Sequence, residues 1–241
     1  MTAVFRSNLP SVLITGANRG LGLGLAKEYS QKGYNVFATS RKTGPADIKD
    51  LAPYAVAIHP LDLLDPTLAT LATLPATLSR YTPSLQVLIN NAGTMIPDKV
   101  GALSADSLLA QFKVNAMGPA LVTQTLTPHL TTAGQAGGAK VVNISAILAS
   151  LTDNLMPGKL PGYRASKTAQ NALTVALAKE LAGKGILVFG LHPGFVATRM
   201  SGMKGELSVE QSAGLVAKVV DAANKEVAGK MVNQAGKVMN W

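Results

Sequence analysis

A single parallel, doubly wound α/β sheet is the architecture that the sequence predicts, on three observations. Short apolar runs alternate with longer segments of helical periodicity along the whole chain. Several runs are apolar at every position rather than at alternate ones, which suits parallel strands buried on both faces. The first run empties into a glycine-rich turn, TGANRGLG at 15 to 22, which opens a helical segment. Strand, turn and helix in that order are what a Rossmann-type fold needs. The expectation is about seven strands with helices on both faces, a three-layer α/β/α domain.

Strands are expected at 11 to 16 (SVLITG), 35 to 40 (NVFATS), 54 to 60 (YAVAIHP), 85 to 90 (LQVLIN), 140 to 145 (KVVNIS), 185 to 193 (GILVFGLHP) and 229 to 233 (GKMVN). Helices are expected near 20 to 32, 67 to 80, 104 to 131, 162 to 182 and 208 to 224. Pro119 lies within the longest of these, and its missing N–H predicts a bend or an early break there. Ligands of such sheets bind beyond the C-terminal ends of the strands, so the functional residues are sought in those turns.

At 241 residues the chain can bury one large core, and no long linker or internal repeat divides it, so one domain over 1 to 241 is expected. The chain has no cysteine, which excludes disulfides, thiolate catalysis and zinc sites with sulfur ligands. The N-terminal segment has no signal-peptide pattern, and no apolar stretch reaches the roughly 18 residues of a spanning helix. A cytoplasmic protein with no membrane partner is the expectation. The net charge of +9 is spread over scattered lysines and arginines without interleaved aromatics, which argues against a nucleic-acid partner and for an anionic cofactor. His59 and His192 stand beside strand ends as packing residues, and no spacing of histidines and carboxylates suggests a metal site.

Gly16, Gly20 and Gly22, with Asn18, Arg19 and Leu21 between them, form a turn in which backbone approaches a pyrophosphate and helix N–H groups meet its charge. The second strand ends at Ser40, followed by Arg41 and Lys42. An acidic residue at this edge would bind the ribose hydroxyls of NAD, whereas a small polar residue followed by arginine leaves room and charge for a 2'-phosphate. Arg19 can reach the same phosphate. These residues favour NADP(H).

Six motifs then stand in order: TGANRGLG at 15 to 22, LDLLD at 61 to 65, NNAG at 90 to 93, VN at 114 and 115, YRASK at 163 to 167 and HPGFVAT at 192 to 198. Over essentially its full length the chain resembles the classical short-chain dehydrogenase/reductase family. Within that family ANRGLG, NNAG and YRASK resemble the small carbonyl reductases grouped with Sniffer and the bacterial C-factor. The resemblance implies Asp62 and Leu63 against the adenine, and Asn90, Ala92 and Gly93 beside the adenosine ribose. It implies Pro193, Gly194, Val196 and Thr198 along the nicotinamide and pyrophosphate. Asn115 would kink its helix and hold a water next to the lysine. Asp62 as a local cap and NNAG as a plain turn are the alternatives. Homodimers or homotetramers through the helices near 104 to 131 and 162 to 182 are implied as well, with monomers among the C-factor-type relatives.

Tyr163 and Lys167 carry the chemistry that the resemblance implies. A phenol is a poor proton donor until nearby positive charge stabilises the phenolate, and Lys167 lies one turn later on the same helical face. The family's serine is the departure. Where a pair of serines usually ends strand five, this chain has Ser145 followed by Ala146, and Ser150 stands 13 positions before the tyrosine. Ser145 is the first candidate, Ser150 the second, and no serine at that place the third. A short loop after Thr198 makes a small lid, and Leu148, Leu155, Met156, Phe195 and Met200 are candidate apolar contacts. The expected activity is NADPH-dependent reduction of an aldehyde or ketone, reversible as alcohol oxidation. The alternative is an NADP(H)-binding regulatory or sensing protein with little turnover.

Overall fold

The computed structural model describes residues 2–65, 67–153 and 158–241. Seven strands, β1 (Ser11–Ile14), β2 (Asn35–Ser40), β3 (Ala57–Pro60), β4 (Val87–Asn90), β5 (Ala139–Ile144), β6 (Ile186–His192) and β7 (Met231–Asn233), form one sheet in the order β3-β2-β1-β4-β5-β6-β7. Every neighbouring pair is parallel. The winding reverses at β1, which lies between β2 and β4, and this reversal opens the crevice for a ligand.

The strands are apolar at consecutive positions because both faces are covered. On β1, Val12 and Ile14 enter one core with Leu25 and Val216, while Leu13 enters the other with Leu88, Leu126 and Val188. All eight are inaccessible to solvent, and each such side chain stabilises the fold by about 1.5–3 kcal/mol relative to exposure.

The helices are α1 (Gly20–Gln31), α2 (Pro45–Ile48), α3 (Ala69–Ala72), α4 (Leu74–Ser79), α5 (Ala105–Phe112), α6 (Gly118–Gln135), α7 (Pro161–Leu181) and α8 (Val209–Ala222). The expected helix at 67 to 80 is two short ones, broken at Thr73 just before Pro75, which has no N–H to continue the ladder. The long helix expected from 104 is interrupted by a π turn at Lys113–Met117. The break therefore precedes Pro119, which sits in the first turn of α6, where a missing N–H costs little. Helix α6 then runs through Pro128 to Gln135, past the expected end. The short α2 was not expected. Helix α8 starts with a capping box between Ser208 and Gln211. Among the described residues no helix is long and apolar enough to cross a membrane.

Candidate active site

The glycine turn is clamped onto the end of β4 by side chains on both partners. Thr15 Oγ1 accepts from the N–H groups of Asn91 and Ala92, each at 3.0 Å, and Asn91 Nδ2 donates to the carbonyls of Thr15 at 2.9 Å and Gly16 at 3.1 Å. The N–H of Gly16 donates to Thr39 Oγ1 on β2. Gly16 has φ +63, a left-handed conformation that favours glycine. Gly22 is required by proximity, because a Cβ there would collide with the Gly16 carbonyl and stand 2.5 Å from Asn91 Nδ2. The first N–H groups of α1 have no intrahelical acceptor and face the crevice. A Cβ on Gly20 would stand 3.5 Å from Thr198 Cγ2, which places the loop after β6 against this turn.

The individual predictions around the turn are modified by burial. Asn18 is half-buried and Arg19 is exposed, but Leu21 turns its side chain into the core, leaving only backbone to a ligand. Ser40 is 1% exposed and its hydroxyl donates to the Lys42 carbonyl at 2.7 Å. The hydroxyl therefore shapes the turn rather than meeting a ligand, and Arg41 and Lys42 emerge exposed at the strand end. Asp62 accepts from the Leu64 N–H at 3.0 Å, the local capping role, and Leu63 is buried against the α6 start at Gly118. Asn90 turns its side chain inward. Its side chain is 1% exposed and donates to Asn143 Oδ1, Thr123 Oγ1 and the Pro119 carbonyl, so it braces β4, β5 and α6 inside the molecule.

Tyr163 and Lys167 lie on successive turns of α7 at the sheet's C-terminal edge. The start of α7 is fixed by Asp98, whose Oδ2 accepts from the Gly162 N–H at 3.0 Å. Lys167 Nζ donates to the carbonyl of Ile144, the last residue of β5, at 2.7 Å and to Gln170 Oε1 at 3.0 Å. A Cβ on Gly93 would stand 3.4 Å from Asn115 Oδ1 and 3.9 Å from Lys167 Nζ, so the NNAG turn, the asparagine and the lysine meet. The expected kink at Asn115 falls in the π turn. Asn115 Oδ1 accepts from the Thr94 N–H at 2.8 Å, while Nδ2 donates to the Thr94 carbonyl at 2.7 Å and to Ser166 Oγ at 2.9 Å. Burial pushes the Tyr163 phenol up to about 12 and the Lys167 ammonium down to about 7. In the chain alone burial therefore outweighs the expected lowering of the phenol by the lysine.

Both candidate serines are engaged within the chain. Ser145 is 3% exposed and donates to Asn171 Oδ1 at 2.7 Å. Ser150 donates to the Trp241 carbonyl at 3.2 Å. Ala146 is buried and carries no hydroxyl. Beyond β6, Gly194 has φ +86, Pro193 accepts from Ser212 Oγ, and Val196 bridges to Leu207. The lid is thus short and folded back on itself. Phe195 and Met200 are exposed and Leu148 is half-buried, whereas Leu155 and Met156 lie outside the described residues. His59 is held by Thr77 and the Thr70 carbonyl, and burial pushes His192 down to about 4, as packing residues require. No group of three potential metal ligands occurs among the described residues.

Thr15, Thr39, Asn91, Ser166 and Gln170 were not singled out in the sequence. Thr15, Asn91 and Ser166 lie inside motifs that were, so their signal was available in TGANRGLG, NNAG and YRASK; Thr39 and Gln170 had only their proximity to one.

Comparison with known proteins finds relatives over most of the chain. A family profile described as short chain dehydrogenase matches residues 10–207. The solved NADPH-bound carbonyl reductase from chicken fatty liver is 33% identical, with a TM-score of 0.87 and coverage of 97% of this chain and 99% of that one. The carbonyl reductase Sniffer of Drosophila melanogaster is 31% identical, with a TM-score of 0.88 and coverage of 97% and 100%. A 1-hydroxy-2-glutathionyl-2-methyl-3-butene dehydrogenase from Rhodococcus sp. (strain AD45) is 29% identical over 97% of this chain and 100% of its own.

Proposed function

The chain belongs to the short chain dehydrogenase family of oxidoreductases, and on that premise we propose that it is an NADPH-dependent reductase of aldehydes or ketones with Tyr163 as proton donor. The observation that carries the reading is the meeting of Lys167, Asn115 and Gly93 at the C-terminal strand ends that also hold the glycine turn, with Tyr163 buried one turn before the lysine on α7. The residues present fit the cofactor. The turn at Gly16, Gly20 and Gly22 leaves the α1 N-terminus bare for a pyrophosphate, and exposed Arg19, Arg41 and Lys42 suit a 2'-phosphate with no carboxylate at 40 to 42 to oppose it. Ala92, Gly93, Pro193, Gly194, Val196 and Thr198 would complete the wall. The chicken and Drosophila relatives, both called carbonyl reductases, support the choice of reaction.

Bound NADPH supplies the hydride to the carbonyl carbon. Tyr163 gives its O–H proton to the carbonyl oxygen, and the phenolate left behind is stabilised by the Lys167 ammonium. In the alcohol-oxidising direction the phenolate takes that proton back. Asn115 fixes the end of the NNAG turn through Thr94 and the turn of α7 through Ser166, which holds Lys167 in place. The proposal extends to a homodimer or homotetramer through α5, the π turn, α6 and α7, where exposed Leu109, Met117 and Leu173 supply apolar surface.

One observation favours the second reading, an NADP(H)-binding regulatory protein with little turnover: Ser145 is turned to Asn171 and Ala146 has no hydroxyl. NADPH consumption across aldehydes, ketones and diketones, with the alcohol product identified, separates the two. Turnover supports the reductase. Tight NADPH binding without turnover overturns it, and recovery of turnover in Ala146→Ser would trace the loss to the missing hydroxyl.

A further inference from the structure

We propose that Gln170 is a positioning residue for Lys167, holding the amine from the side opposite Tyr163 and favouring its charged form. The inference rests on the reading of Tyr163 and Lys167 as the reacting pair. Tyr163 lies one turn before Lys167 on α7 and Gln170 nearly one turn after it. An ammonium has three N–H bonds and a neutral amine two. The Ile144 carbonyl and Gln170 Oε1 take two of them, so a third proton exists only in the charged form and is left for the Gly93, Asn115 and Tyr163 side.

Gln170 is 1% exposed, and its Nε2 has no hydrogen-bond partner among the described residues. A buried amide donor without a partner destabilises the fold, and an apolar side chain of the same volume would not carry that cost. What only glutamine supplies here is the oxygen on Lys167. Its orientation is set by that bond, because a flipped amide would turn its own N–H groups against the donor.

The acceptor opposes the burial that pushes Lys167 down to about 7. Titratable groups on the packed elements are Asp98 in the loop before α5, Asp106 on α5, Lys113 in the π turn, His129 on α6, His192 on β6, Tyr163, Arg164, Lys179 and Glu180 on α7 itself, and Lys184 just after it. None of them enters the shift of Lys167, whose cause is burial. The neutral oxygen of Gln170, at 3.0 Å, is the side-chain acceptor placed on the lysine.

The test uses the full chain labelled with 13C-lysine, with the Lys167 signal assigned by its loss in Lys167→Met and titrated by NMR without cofactor. Gln170→Met should lower the Lys167 pKa by about one unit, since a hydrogen bond to the charged form favours that form. Gln170→Glu should raise it. Melting temperature should hold or rise in Gln170→Met, because the unpartnered amide is gone. In turnover, the alkaline limb of the kcat profile should move down in Gln170→Met and up in Gln170→Glu, with KM for NADPH changing less than kcat. An unmoved Lys167 titration in both variants overturns the proposal, as does an unmoved pH profile in active protein. If Gln170→Met fails to fold, the near-isosteric Gln170→Glu decides alone. Absence of turnover in the wild type would instead overturn the functional reading, while the cofactor-free titration still tests the contact.

Discussion

The glycine turn and the first turns of α7 face the same crevice, yet they are built from different physics. Around the turn, Thr15, Thr39 and Asn91 act through backbone N–H and carbonyl groups, and geometry is fixed by glycines whose missing side chains make room. Around α7, the groups that matter are two buried ionisable side chains, each pushed toward its neutral form by desolvation. The first region would bind through shape and backbone dipoles; the second would act through protons. Damage to one should leave the other's function measurable, and that separation can be broken or sharpened by substitution.

The largest effect is expected at Tyr163→Phe. Loss of a positioned general acid should lower kcat by about 10²- to 10⁴-fold while NADPH affinity stays within a few-fold, checked by turnover and by titration of cofactor fluorescence. Gly22→Ala attacks the other region, since the new Cβ meets the Gly16 carbonyl and Asn91. Overpacking of that kind costs about 1–3 kcal/mol, so NADPH affinity should fall roughly 10- to 100-fold in the same titration.

Lys167→Met sharpens the contrast through pH. Lys167 moves from its ordinary 10.5 to about 7 on folding, so between those values the unfolded chain binds more protons and stability rises with pH. Above pH 10 the raised Tyr163 works in the opposite direction. Denaturant unfolding of the cofactor-free protein at pH 7 and pH 9 should show a rise of about 1–2 kcal/mol that Lys167→Met removes. The smallest effect is expected at Arg41→Ala, where loss of one exposed cation should reduce the preference for NADPH over NADH about tenfold, read from the ratio of kcat/KM values.

The fold and the glycine region were legible because their signals are local. Continuous apolar strands and TGANRGLG report burial and backbone conformation directly, whereas the order of the strands in the sheet came from the structure. The helix breaks were less legible: the π turn at Lys113–Met117 depends on Asn115 reaching Thr94, a contact across 21 positions. Side-chain direction at strand ends was the main obstacle. Asn90, Ser40 and Ser145 all carry polar groups suited to a ligand, and each spends them on neighbours inside the molecule. The Ser145 partner Asn171 could be named only once α7 was packed on β6.

Deuterium transfer tests the central claim most directly. Wild-type protein would be turned over with an accepted aldehyde or ketone and NADPH carrying deuterium at both positions of the hydride-donating carbon, and the product analysed by NMR and mass spectrometry. One deuterium on the carbinol carbon is the result predicted by carbonyl reduction. An unlabelled alcohol, or deuterium on a carbon that had been part of a carbon–carbon double bond, would contradict it.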